Sequence, residues 1–181
     1  MGALEEAATA AAHAGEIAKG VRRLLSRSER EDLPIEIDEM IADAARLVRL
    51  EVMDNRIELL LDLEAGNAHV MGDRLLLQQA LVNLATNALQ ALQGADGARL
   101  LTISSRVQSQ TAIVTARDNG PGFAPEIIEN ALKAFASTKS GGMGLGLAIC
   151  RSAVEAHGGT VRIGNHAEGG AIVEMALPLA T

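Results

Sequence analysis

The chain has 181 residues, a formal net charge of −7 and 48% apolar residues, enough for one full domain with a core and an appendage. The charge argues against a nucleic-acid partner, because neutralising phosphates takes clustered Lys and Arg. A single cysteine excludes a disulfide framework or a thiolate metal cluster within one chain.

The core must be aliphatic, since the chain has two Phe and neither Tyr nor Trp. No signal peptide and no apolar run of transmembrane length is present, so a cytoplasmic chain, or the cytoplasmic part of a longer one, is expected. Residues 3–29 read as one helix. Leu4, Ala7, Ala11, Ala14, Ala18, Val21 and Leu25 recur at spacings of three and four, a heptad seam that asks for a helical partner, most simply a second copy. "SEREDLP" ends it, with Pro34 disfavouring helix at Leu33. "PIEI" reads as a short strand, and Asp38 as the N-cap of a helix over 39–53 with Ile41, Ala44, Ala45 and Val48 on its apolar face. "RIELLLDL" alternates, with Ile57, Leu59, Leu61 and Leu63 on one side. Asp73 caps a long helix over 74–92. Strands follow near 100–107 and 111–117, then a loop-rich stretch over 118–143 with a short helix near 125–133. A helix over 145–156 ends at "HGG", and the strands "TVRIG" and "AIVEMALP" flank an "AEGG" turn. The pattern predicts an α/β fold: a two-layer sandwich whose mixed, mostly antiparallel sheet is covered by helices on one face, preceded by the long N-terminal helix. The expected division is a partial dimerisation segment over 1–33 and a second domain over 34–181.

Three stretches carry chemistry. On helix 74–92, Asn83, Asn87 and Gln90 share one face, with Leu77, Leu81, Leu84 and Ala88 on another. That amide stripe is either a solvated face or a set of neutral oxygen ligands for a hard cation that keeps its waters. "DNGPGF" puts Asp118 at a strand's end beside Gly120 and Gly122. It is either an ordinary surface turn or a carboxylate placed to accept from an exocyclic amine, with glycines letting a ligand approach. "TKSGGMGLGLAIC" sets Lys139 and a run of glycines before a helix whose start has unpaired N–H groups. It is either an empty flexible loop or a phosphate cradle. It matches neither the Walker pattern nor the dinucleotide fingerprint. Cys150 is expected to be a small buried thiol.

In this order, "NLATNA", "DNGPGF" and "STKSGGMGLGLAI" resemble the N box and the two glycine boxes of the ATP-binding domain of sensor histidine kinases. That domain belongs to the gyrase, chaperone, histidine kinase and mismatch-repair ATPase superfamily, and the resemblance covers about residues 36–179. "HAGEIAKGVRRLLSR" further resembles the second helix of a dimerisation and phosphoacceptor domain. The resemblance implies that the chain binds ATP and Mg²⁺ and passes the γ-phosphoryl to a histidine. Asn87 would ligate Mg²⁺, with Asn83 beside the phosphate chain. Asp118 would bind the adenine amino group, and Gly120 and Gly122 would line the base pocket. Lys139, Gly142, Gly144, Leu145 and Gly146 would hold the phosphates, with Asn83, Asn87 and Lys139 as the catalytic set. Phe123 to Met143 would form a mobile ATP lid. Implied partners are a phosphoacceptor helix, a response regulator and, through the N-terminal helix, a second copy.

Two departures stand out. In "AFASTK", Ala136 occupies the place of the second of two lid phenylalanines. None of His13, His69, His157 and His166 is followed by an acidic residue, as the family's phosphoacceptor is, so the acceptor is expected on a helix before residue 1. Hydrolytic members of the superfamily carry a glutamate four residues before the Mg²⁺ asparagine. Asn83 stands there, and an amide cannot abstract a proton from water. This disfavours a gyrase-type ATPase and leaves a nucleotide-sensing or dimerisation module without catalysis as the other alternative.

Overall fold

Pro34 has a fixed φ and holds the residue before it out of helix, and Leu33–Glu36 forms strand β1. The computed structural model describes residues 32–93, 95, 97–128 and 146–180. The expected helix over 3–29, its seam and His13 lie outside the described residues.

Helix α1 (Ile37–Asp54) follows β1 directly. Asp38 is not its cap: Glu36 holds the N-cap position without a side-chain capping bond, and the Ile37 N–H is satisfied by the carbonyl of Ala68 at 3.1 Å. The Asp38 carboxylate reaches further. It accepts from the backbone N–H of Gly66 at 2.8 Å and from the Ser105 hydroxyl. Ser105 in turn accepts from the N–H groups of Glu64 and Ala65. An acid with the sequence look of a local cap is spent on a long-range tie, because a buried serine supplies a better partner.

After strands β2 (Glu58–Glu64) and β3 (His69–Gly72) comes helix α2 (Arg74–Leu92). Here the expected cap holds: the Asp73 carboxylate accepts from Leu75 N at 3.0 Å and Leu76 N at 3.1 Å. Such a cap contributes about 1 kcal/mol. Strands β4 (Leu100–Gln108) and β5 (Thr111–Asp118), the short helix α3 (Pro125–Ile128), helix α4 (Gly146–Ala156), and strands β6 (Thr160–Asn165) and β7 (Ala171–Pro178) complete the order. The main sheet runs β2-β4-β5-β7-β6. Only β2 and β4 are parallel; the other pairs are antiparallel. β3 was not legible in the sequence. Four residues are too few to show a period, and β3 exists because β1 pairs with it, Leu33 opposite Gly72.

One sheet face carries the core. Leu101 and Ile103 of β4, Ala112, Val114 and Ala116 of β5, and Val173, Met175 and Leu177 of β7 are all buried there. Met40, Ile41, Ala44 and Val48 of α1, Leu77, Leu81 and Leu84 of α2, and Ile149, Cys150 and Val154 of α4 cover them. The other face is more polar, with ion pairs Arg106–Glu174 and Arg117–Glu168. The alternation expected of "RIELLLDL" holds for Ile57, buried just before β2, and for Leu59 and Leu63, half-buried between exposed neighbours, but Leu61 is 38% exposed. β2 is an edge strand with a neighbour on one side only, so less of it is covered.

The α4 terminus is the stop that "HGG" announces. Gly158 takes φ +70°, and the N–H groups of Gly158 and Gly159 return to Glu155 O and Val154 O, the paired bonds of a Schellman motif. His157 then ties α4 to α2. Its Nε2 accepts from Asp73 N at 2.9 Å, while its Nδ1 lies 2.7 Å from Ala153 O, which fixes the proton on Nδ1. Cys150 is fully buried beside the Met175 sulfur at 3.7 Å, and burial pushes its thiol up to about 12. Among the described residues no helix is long and apolar enough to cross a membrane.

Candidate functional site

Asn83, Asn87 and Ala91 recur every four residues on α2 and so line one side of it, spanning about 12 Å at the helical rise. The start of α4 meets this line at Asn87. A Cβ placed on Gly146 would sit 2.9 Å from Asn87 Nδ2 and 3.2 Å from its Oδ1. The β5 end meets it one turn further on, where a Cβ on Gly120 would lie 3.0 Å from Asp118 Oδ1 and 3.5 Å from Ala91 O. A side chain at 146 would therefore crowd the Asn87 amide, and one at 120 would crowd the Asp118 carboxylate while meeting α2 only at ordinary contact distance, so two distant segments reach one face of α2.

Asp118 is 4% exposed. Its Oδ1 accepts from Gly120 N at 2.9 Å and Ala171 N at 3.3 Å. Among the described residues its Oδ2 has no hydrogen-bond partner, so one oxygen is anchored and the other is left unpaired. At the opposite end the amides are half-buried, and Asn83 Nδ2 is a buried donor with no partner among the described residues. An unpaired buried N–H costs about 1–3 kcal/mol; an acceptor arriving from outside the protein would remove that cost. α4, an eleven-residue helix, brings its start to Asn87, and a helix start carries the positive end of the helix dipole.

The turn after Asp118 is an arch. Asn119 pins one side of it to β4, its Oδ1 accepting from Leu100 N and its Nδ2 donating to Ala98 O, both at 2.8 Å. The arch then crosses Gly170, where a Cβ would come 1.8 Å from Asp118 O. Gly122, at φ +75°, brings it to β6. Asn119, Gly170 and Asn165 were not singled out from the sequence, since asparagine and glycine beside strand ends read as ordinary turn formers.

Asn83, Asn87, Asp118, Gly120 and Gly146 are thus brought together, and Gly122 lies on the arch that closes the same end. Lys139, Gly142, Gly144 and Leu145 lie outside the described residues, as do Phe135, Ala136 and most of the expected lid. Gln90 shares the helix but is not needed by the arrangement.

The chain matches the family model described as histidine kinase-, DNA gyrase B- and HSP90-like ATPase over residues 72–181. It is 35% identical over 178 residues to the sensor protein FixL of Bradyrhizobium diazoefficiens, covering 98% of this chain and 35% of that one. It is 38% identical over 169 residues to the C4-dicarboxylate transport sensor protein DctB of Pseudomonas aeruginosa, covering 92% of this chain and 26% of that one. The chain therefore spans about a third or less of these relatives. Among solved structures it resembles the catalytic domain of the histidine kinase ThkA, with TM-score 0.73, 27% identity, and 82% and 95% of the two chains covered. It also resembles full-length ShkA in complex with AMPPNP, with TM-score 0.77, 27% identity, and 90% and 34% covered.

Proposed function

The chain belongs to the histidine kinase-, DNA gyrase B- and HSP90-like ATPase family and its relatives are sensor histidine kinases; from that premise we propose that it binds Mg·ATP and transfers the γ-phosphoryl to a histidine on a separate phosphoacceptor helix. The convergence of Asp118, Asn87 and Gly146 on one face of α2, with an offered oxygen at one end and an orphan donor at the other, carries this reading. The binding of AMPPNP by ShkA supports it.

The residues present fit Mg·ATP. Asp118 Oδ2 would accept from the exocyclic amine of adenine, with Gly120 and Gly122 leaving room for the ring. Asn83 Nδ2 would donate to a phosphate oxygen. Asn87 Oδ1 would ligate Mg²⁺, a neutral oxygen of the kind a well-hydrated hard cation tolerates. Lys139, Gly142, Gly144 and Leu145 belong to this phosphate-binding set by their motif, with Gly146 completing it. Bound Mg·ATP supplies the transferable phosphoryl and a cation that offsets developing charge. The chain's own residues hold and align it. Asn83 provides no base for water, so the phosphoryl is kept for the incoming imidazole.

In this reading residues 1–33 belong to a dimerisation segment, the acceptor helix is contributed by a longer kinase chain, and a response regulator receives the phosphoryl in the cytoplasm. Incubation with labelled ATP, Mg²⁺ and a supplied phosphoacceptor helix tests the proposal. Acid-labile label on the helix is expected, and it should vanish in Asn87→Asp and Asp118→Asn. ATP binding without transfer to any supplied histidine helix would favour a nucleotide-sensing module; steady ATP hydrolysis without acceptor would favour an ATPase.

A further inference from the structure

Among the described residues, one side chain holds the far side of the arch from Asp118 to Phe123. Asn165, the last residue of β6, accepts from the Phe123 N–H through Oδ1 and donates to the Phe123 carbonyl through Nδ2, both at 2.7 Å. One planar amide thus reads both polar groups of one backbone residue, and only Asn or Gln carries a donor and an acceptor side by side for this. Gly122 makes room for it: a Cβ there would stand 2.7 Å from Asn165 Oδ1. Asn165 also lies opposite Ala171 in the sheet, and Ala171 N is the group that anchors Asp118 Oδ1. The ends of three neighbouring strands therefore act on one turn. β5 supplies the carboxylate, β7 orients it, and β6 fixes where the chain leaves it.

We propose that Asn165 is a positioning residue for the purine, acting through the Phe123 backbone to set the height of the Gly120–Gly122 arch above Asp118. This rests on the nucleotide reading and extends it to base selectivity. Asn165 itself is solvent-exposed, so its two hydrogen bonds compete with water and contribute little to global stability. Their consequence is local. With the clamp in place the ring enters at one depth, and only a base with an amine at that depth satisfies Asp118 Oδ2. Without it the arch relaxes and the distinction between an amine and a carbonyl at that position fades.

The test is calorimetric titration of the 181-residue chain with Mg·ADP and with Mg·IDP, which differ by an amine against a carbonyl, alongside thermal melting. For Asn165→Ala, Mg·ADP affinity should fall about tenfold, the loss of one or two ordinary hydrogen bonds. Mg·IDP affinity should change little, and the melting temperature should stay within about 2 °C, as expected for less than 1 kcal/mol. Asn165→Asp keeps the acceptor for Phe123 N–H and loses the donor, so its ADP affinity should lie between the other two. Equal losses for both nucleotides, unchanged ADP affinity, or a loss that follows a large drop in melting temperature would overturn the positioning role. Failure of the unsubstituted chain to bind Mg·ADP would instead overturn the nucleotide reading beneath it.

Discussion

The two ends of the site are built on opposite principles. At the Asp118 end almost every polar group has a partner. The carboxylate is anchored by two N–H groups, and Asn119 and Asn165 each clamp backbone on either flank. At the Asn83 end a buried donor has no partner among the described residues, and a glycine is set against the Asn87 amide. A base is recognised by shape and by one directed bond, so its pocket gains from being rigid before the ligand arrives. In the proposed reading the other end takes a phosphate chain with its cation, which brings many acceptors, so donors held open there would be satisfied only in the bound state. The difference teaches that stability and binding should separate in opposite directions at the two ends.

The largest expected effect breaks the Asp118 end without unfolding it. Asp118→Asn retains an oxygen for Gly120 N and Ala171 N but turns the second acceptor into a donor, which in the proposed reading would face the adenine amine. Mg·ADP affinity should fall about 100-fold by titration calorimetry, with melting shifted by no more than about 3 °C. A matched glycine pair comes next. Gly170→Ala forces a side chain at φ +87° into backbone 1.8 Å away, and should cost about 2–4 kcal/mol in urea unfolding. Gly146→Ala meets only the end of the Asn87 side chain and gains helix propensity, so stability should move by less than about 1 kcal/mol, while Mg·ADP affinity drops as Asn87 is displaced. Equal stability losses in the two variants would erase the contrast. Third, Asn83→Leu removes the orphan donor. Stability should stay level or rise by about 1 kcal/mol, and phosphotransfer should be lost. A clear loss of stability would mean that the amide already has a partner.

The smallest effect lies away from both ends. Cys150→Ala should leave nucleotide binding at neutral pH as it is. The folded thiol is raised from 9.0 to about 12 by burial, so both states hold the proton below pH 9 and the contribution is intact there. As pH climbs from 9 toward 12 the unfolded thiol ionises first, and the parent chain should lose stability relative to Cys150→Ala. Parallel pH profiles of the two in urea unfolding would contradict the burial.

Much of the fold was legible because it is periodic. The apolar face of α1, the Asp73 cap, the "HGG" stop, and β4, β5 and β7 all follow from local spacing and turn chemistry. Asp38 and β3 were not, for one reason: each is decided by a partner distant in sequence, Ser105 for the first and β1 for the second. Leu61 likewise reads as core by alternation and is exposed because β2 received only one neighbour.

The site divides the same way. Sequence alone determined which residue types are present and in what order: two asparagines one helical turn apart, an acid before a glycine turn, glycines before a helix. Those are properties of short stretches, and short stretches set local conformation and motif. Only the tertiary structure decided that Gly146 presses on Asn87, that Gly170 lets the arch pass, and that Asn165 holds its far end. Hydrogen bonds and steric contacts act over a few ångströms whatever the sequence separation, so their partners are fixed by how strands are ordered in the sheet and not by spacing along the chain.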